Sequence, residues 1–400
     1  MTSLQAARLA TMGLLFCNGL IYATWGIHIP TLKEKFSLSD ATLSQAMFAV
    51  AIGGIIIMPQ IGRWAGQTGT ARVSRLSAWF MAVTAALILI IPDYNALLIW
   101  LLLFGAATAA NDVAVNAQAA MLEVRMSRPI MGSVHGSFSL GGLTGAMIAS
   151  LWAAQVGSPA WHFFLVAAVM AVLMTFATRY LVRNDHQDPE KTPDQYVPNL
   201  QKVPPPPVPT TAFIPHSLRR RLWALGVLGF LGLLIEGAMY DWSAVYMRDV
   251  VAATPAMVSA GYAAFCAGMA VGRFGGDPLR ARLGALQLMY NSCCLAGLGL
   301  LLALLWQTSW SVVIGFGLTG LGLSSVMPIT FASAGKMAAD AGIIAAIGLA
   351  VTVRLAYIGL LLGPALLGQI SQLFGLVVAL ALTLLALVLI VGISAYLLKE

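Results

Sequence analysis

The sequence predicts an all-α polytopic membrane protein with twelve transmembrane helices in two six-helix halves. Three observations predict it. Of 400 residues, 59% are hydrophobic and only 9% charged, against roughly 25% charged in a soluble domain. Twelve apolar stretches each approach the ~20 residues that cross a hydrocarbon core as a helix. One long proline-rich segment divides them six and six. A soluble chain this apolar would expose patches far beyond the few hundred Å² that monomers tolerate. The 39 glycines agree, since small residues let membrane helices approach closely.

Taken in order, the first six spans are read at 8–31, 42–62, 74–92, 96–122, 130–155 and 159–182. The second six are read at 219–247, 255–275, 284–306, 309–334, 340–368 and 373–397. The first is too long, and lacks the small-residue cleavage site, to be a removable signal peptide. Connections are short except at 184–217, which contains "PEKTPDQYVPNLQKVPPPPVPTT". Its proline and charge density give a disordered or polyproline linker rather than a span. The expected organisation is therefore an N-terminal bundle at 1–183, a linker at 184–217 and a C-terminal bundle at 218–400.

Lys and Arg set the expected orientation. With both termini cytoplasmic, the outer loops hold only Lys33, Lys35 and Arg248 of the 22 basic residues, and one more, Arg354, falls inside a span. The rest lie on the cytoplasmic side, as the positive-inside rule requires. The net charge of +7 is thereby explained without nucleic acid, for which no basic face or aromatic platform appears. The four cysteines lie in apolar stretches and read as packed hydrophobes, without zinc-ligand spacing. No cofactor, metal or phosphate loop is expected. The expected partners are a small-molecule substrate, the lipid bilayer and, with coupled transport, protons, the chain acting as a monomer.

The fourth span carries "GAATAANDVAVNAQA". At 100° per residue, Thr108 and Asn116 fall within about 40° of Asp112. Asn111 and Gln118 lie on the adjacent face. Such a stripe avoids lipid and faces the bundle interior. It makes Asp112 a protonatable coupling site with Asn111 and Asn116 beside it; an interhelical hydrogen-bond cluster is the alternative. Glu123 reads as part of a surface charge cluster with Arg125 and Arg128. In span seven Glu236 shares a face with Gly229, Gly232 and Tyr240 and is a second coupling candidate. Asp241 points about 140° away and meets water or caps a neighbouring helix. Arg354 stands near mid-depth in span eleven, with Tyr357 on its face. A lone arginine there needs an acidic partner. Glu236 is the expected one; an anionic substrate group is the alternative. Span one offers Asn18, Tyr22 and Trp25 as an amide–aromatic stripe for a small organic substrate. His28 reads as a solvated interfacial residue, and His135 opens span five. The glycines of "LGGLTGAM" read as packing notches.

The halves also repeat. "IGRWAG" at Ile61–Gly66 follows span two, and "VGRFGG" at Val271–Gly276 follows span eight. The same offset carries Gly105 to Gly315. Parallel six-helix halves with a long central loop are a transporter architecture. With the G-R-x-x-G turns, the chain resembles the major facilitator superfamily over its whole length. "ANDVAVNAQAAMLEVRMSRPIMGSVHGSFSLGGLTGA" and "EGAMYDWSAVYMRD" are similar to the YbjJ group of bacterial inner-membrane proteins, and more distantly to fucose permease-type symporters. The resemblance implies that helices one, four, seven and ten line a central cavity. It implies a gating loop at Gly62, Arg63 and Arg72, and a second at Gly272, Arg273 and Asp277. The first copy departs from the family pattern, with Gly66 where Asp is expected. Span five lacks the Gly-Pro pair of the family's antiporters.

The expected function is secondary active transport of a small organic solute by alternating access, by proton-coupled symport. A uniporter or a proton-driven exporter is the alternative. The expected location is the bacterial inner membrane. A channel would show short pore loops or charge rings, and an enzyme a nucleophile–base pair; neither appears.

Overall fold

The computed structural model describes residues 3–126, 130–155, 157–182, 215–342 and 345–398. Most of the linker read at 184–217, with Arg128 and Lys191, lies outside the described residues. The described ones are helical throughout, apart from short turns. The first half comprises α1 (Ser3–Lys35), α2 (Asp40–Thr68), α3 (Thr70–Leu87), α4 (Tyr94–Met126), α5 (Met131–Ala154) and α6 (Pro159–Ala177). The second comprises α7 (His216–Asp249), α8 (Pro255–Trp306), α9 (Ser309–Leu323), α10 (Val326–Asp340), α11 (Ala345–Phe374) and α12 (Leu376–Leu397). They supply 12 helical segments long and apolar enough to cross a membrane.

The boundaries have local causes. Ser39 caps α2 by accepting a hydrogen bond from the Thr42 amide, and Asp40 in the first turn faces the positive helix end. Gly69, at φ 87°, joins α2 to α3 alone. Pro159 starts α6, where a missing N–H costs nothing. Thr308 and Ser311 form a reciprocal capping box on α9.

Three spans differ from the reading. Spans eight and nine are both contained in α8, whose helical backbone changes direction at Gly284 (φ 77°). Span ten is broken into α9 and α10 at Ser324–Ser325. Pro328, two residues into α10, removes a backbone donor just beyond the break.

Glycine sets the closest approaches inside the first half. A Cβ on Gly105 would lie 1.9 Å from the Val50 carbonyl oxygen, and one on Gly141 2.0 Å from that of Phe16. The span-five glycines are packing notches, as their spacing predicts.

The halves meet along α1–α7, α2–α11 and α5–α8. Call the end that carries the start of α1 and the finish of α12 the terminal end, and the opposite one the far end. At the far end the halves are tied by charge. Lys33 on α1 sits 2.6 Å from Asp249 on α7 and 2.6 Å from Asp40 on α2. Arg248 on α7 donates to the Pro30 carbonyl of α1. Ser371 on α11 donates to Asp40, and Gln369 to Ser44. Lys35 instead serves its own half, donating to the carbonyls of Leu89 and Ile91.

Candidate functional site

The site is built where α1, α4, α5, α7 and α8 converge. On α1 and α4, which run antiparallel, the pairings step up together. Asn111 donates to Asn18 at 3.1 Å, the Tyr22 hydroxyl meets the Thr108 side chain, and the Trp25 ring lies 5.9 Å from that of Phe104. Asp112, half-buried, has the Asn116 side chain as its hydrogen-bonding neighbour. Asn116 also donates to the Asp112 backbone carbonyl at 2.9 Å.

Across the seam, Glu236 on α7 forms an ion pair at 2.7 Å with Arg273 on α8, the two side chains being 8% and 12% exposed. Arg273 also donates to Ser139 on α5 at 3.0 Å. One guanidinium thus joins the two halves, its fork satisfying two acceptors at once. The Tyr240 hydroxyl lies beside Glu236 but is buried without a hydrogen bond of good geometry. Its ring meets Phe138 of the other half edge-on, with centroids 6.0 Å apart, and Phe138 in turn meets Tyr22 at 5.7 Å. Asp241, one residue on, is half-buried on α7. Tyr357 on α11 lies within electrostatic range of Asp112, Glu236, Tyr22 and Arg273.

Tyr22, Trp25, Asn111, Asp112, Asn116, Glu236, Tyr240 and Tyr357 therefore all lie in or beside one seam. Asn18 accepts the Asn111 bond, a helix-to-helix tie. Gln118 is another tie, bonding Thr70 and the backbone of Val182. Arg354 does not pair with Glu236. Arg354 is exposed on α11, nine residues after the helix begins at Ala345. A long cation can stay hydrated there. Gly272 and Arg273 are helical rather than in a loop. They lie within α8, where Gly272 fits against Ser324 and Arg273 supplies the partner expected of Arg354. Gly62 and Arg63 lie at the end of α2 and Arg72 in α3, with both arginines exposed; the Asp277 side chain is outside the described ones. Glu123 accepts from the backbone amides of Ile130 and Met131 and so caps the start of α5. His28 is not solvated: it bonds His162 at 2.8 Å.

Sequence reasoning gave Asp241 to water or a helix cap, and it missed Ser139 and the place of Arg273. Ser139 carried no usable signal. Among the described residues no cluster of three or more His, Cys, Asp or Glu could hold a metal ion.

Residues 11–301 match the family model of the Major Facilitator Superfamily. The chain belongs to the major facilitator superfamily. Its superfamily relatives include an uncharacterized MFS-type transporter of Yersinia pestis, 30% identical over 368 residues, covering 91% of this chain and 88% of the relative. The membrane protein MosC of Rhizobium meliloti is 29% identical over 361 residues, covering 90% and 83%. Among solved superfamily structures, the nucleoside transporter NupG superposes with a TM-score of 0.69 at 13% identity, covering 100% of both chains. A bacterial homologue of the human lysosomal transporter Spinster, in an inward-facing and occupied conformation, gives 0.69 at 12% identity, covering 98% of this chain and 96% of its own. The superfamily assignment makes this a membrane transporter rather than an enzyme.

Proposed function

We propose that the protein carries a small organic solute by alternating access in proton-coupled symport, in the inner membrane with both termini cytoplasmic. One observation carries this reading. The seam between the halves holds three carboxylates, of which Glu236 alone has an ion-pair partner among the described residues, while charge closes the far end over it. Intramembrane acids are costly enough that their retention argues for use. On this reading the far end is periplasmic and the site opens to the cytoplasm. Asp112 takes and releases the coupling proton. Glu236 changes its hold on Arg273 as the halves rock, and Arg273 transmits that change to α5 through Ser139. Tyr22, Trp25, Asn111, Asn116, Tyr240 and Tyr357 contact the solute.

The test is solute-driven proton movement in proteoliposomes. Native protein should acidify the lumen with solute uptake, while Asp112→Asn should lose proton movement and keep solute counterflow. Unaltered proton movement in Asp112→Asn would remove Asp112 from the coupling. Counterflow without proton movement in the native protein would make it a uniporter.

A further inference from the structure

The closely packed glycines divide by what they press against. Most meet their own half. A Cβ on Gly19, for instance, would lie 1.9 Å from the Phe138 carbonyl oxygen, and α1 and α5 belong to one bundle. Among the described residues, four meet the other half. Gly26 on α1 faces α7 and α8, Gly368 on α11 faces α2, and Gly136 and Gly142 on α5 face α8. Each of the three lines along which the halves touch therefore carries a glycine.

The four differ in what a side chain would strike. On Gly26 a Cβ would come within 2.7 Å of both the Tyr240 carbonyl oxygen and the Tyr262 ring. The carbonyl is fixed in α7. The Tyr262 ring is buried and held against that of Tyr240, with centroids 5.7 Å apart. On Gly368 a Cβ would come within 2.2 Å of the Ser44 Cβ and 2.9 Å of the Asp40 carbonyl oxygen, both fixed to the α2 backbone. None of these neighbours can step aside unless the halves part. Gly136 instead faces the Phe274 ring, and Gly142 the Cys266 thiol, each at 2.7 Å. Those are side-chain ends, which a change of rotamer moves.

Both rigid contacts lie on the far-end side of the Glu236–Arg273 pair, where the halves are shut. Gly368 stands beside the Gln369–Ser44 and Ser371–Asp40 bonds, which cross between the halves where the two backbones come this close. Interiors are close-packed, so an added methyl finds no void to enter.

We propose that Gly26 and Gly368 are positioning residues of the transport cycle: they let the backbones of the two halves meet, and so set how completely the far end shuts. This rests on the alternating-access reading above and names two residues on which it turns. A methyl at either position blocks closure but leaves the interior of each half untouched, because the atoms it strikes belong to the opposite half. The chain then folds and shifts toward a state open at the far end.

The experiment measures spin-label distances on the full chain in liposomes, in a background whose four cysteines are replaced by serine. One label pair, at Asn95 and Thr254, spans the far end. A second, at Gln67 near the close of α2 and Asp340 at the close of α10, spans the terminal end. Gly26→Ala and Gly368→Ala should each raise the ratio of long to short far-end distances about tenfold or more, and lower that ratio at the terminal end. Gly136→Ala and Gly142→Ala should change it less than about threefold. Gly13→Ala, whose methyl meets open space, should not change it. Ser44→Gly added to Gly368→Ala removes the struck Cβ and should recover part of the short distances; that rescue carries the test if Gly26→Ala does not fold. Far-end distances unmoved in both variants, an equal shift in Gly13→Ala, or no recovery with Ser44→Gly would overturn the proposal. The alternating-access reading fails separately. Far-end opening with no approach at the terminal end would keep the two glycines in this role and overturn that reading, whereas unmoved far-end distances strike the glycines alone.

Discussion

Replacing Lys33 by methionine should loosen the far end by a predictable amount. Its ammonium has two arms, each 2.6 Å long, to Asp249 and to Asp40. Only the first crosses between halves, since Asp40 begins α2 in the same half as Lys33. The three side chains are 18–28% exposed. The arm is therefore neither dry nor fully screened, and a value near the upper end of exposed pairs, about 1 kcal/mol, is appropriate. Such a loss changes a two-state ratio by a factor of about 5. The Arg248–Pro30 bond remains, so the far end is loosened rather than released. Spin labels at Asn95, in the first turn of α4, and Thr254, before α8, report the separation of the halves at this end. In liposomes, Lys33→Met should raise the ratio of long to short label distances about fivefold. Salt at ~1 M, where the Debye length is about 3 Å, should move the native protein part of the way there. Lys35→Met is the control, because Lys35 bonds only within its own half. An unchanged distribution in Lys33→Met, or an equal change in Lys35→Met, would refute the idea that charge holds this end closed.

Two further outcomes follow from the packing. Arg273→Ala strands Glu236 without its partner and should cost roughly 3–5 kcal/mol; adding Glu236→Gln should restore part of the lost thermal stability in detergent. Gly105→Ala drives a methyl to within 1.9 Å of the Val50 carbonyl and should prevent folding, whereas Gly62→Ala meets open space and should leave the melting temperature equal or slightly raised.

Hydropathy made the twelve spans legible because lipid imposes length and polarity on every helix alike. The interior face of span four was legible for the same reason: Asp112 and Asn116 have nowhere else to go. Partners were less legible. The helical wheel put Glu236 and Asp241 on different faces correctly, yet no wheel states which helix lies opposite. Arg273 was concealed by a glycine motif that reads as a loop and is continued here as helix. Arg354 was given the wrong partner because the sequence does not show that its side chain is exposed on α11 while Arg273 holds Glu236. His28 looked interfacial because its partner, His162, stands far away in sequence and reaches it only once α6 packs on α1.

The single-residue joint at Gly69 and the bend at Gly284 have a mechanical consequence. Each connects two membrane-crossing rods with no slack between them. A rotation of span two must reappear in span three unless the φ and ψ of one glycine absorb it, and the same holds for spans eight and nine. Arg273 rides on such a coupled pair. A small tilt imposed at its guanidinium is carried through the bend into the rod from Ala285 to Trp306, about 33 Å long at 1.5 Å per residue. These two elbows therefore make each half behave as a few stiff levers rather than six independent helices.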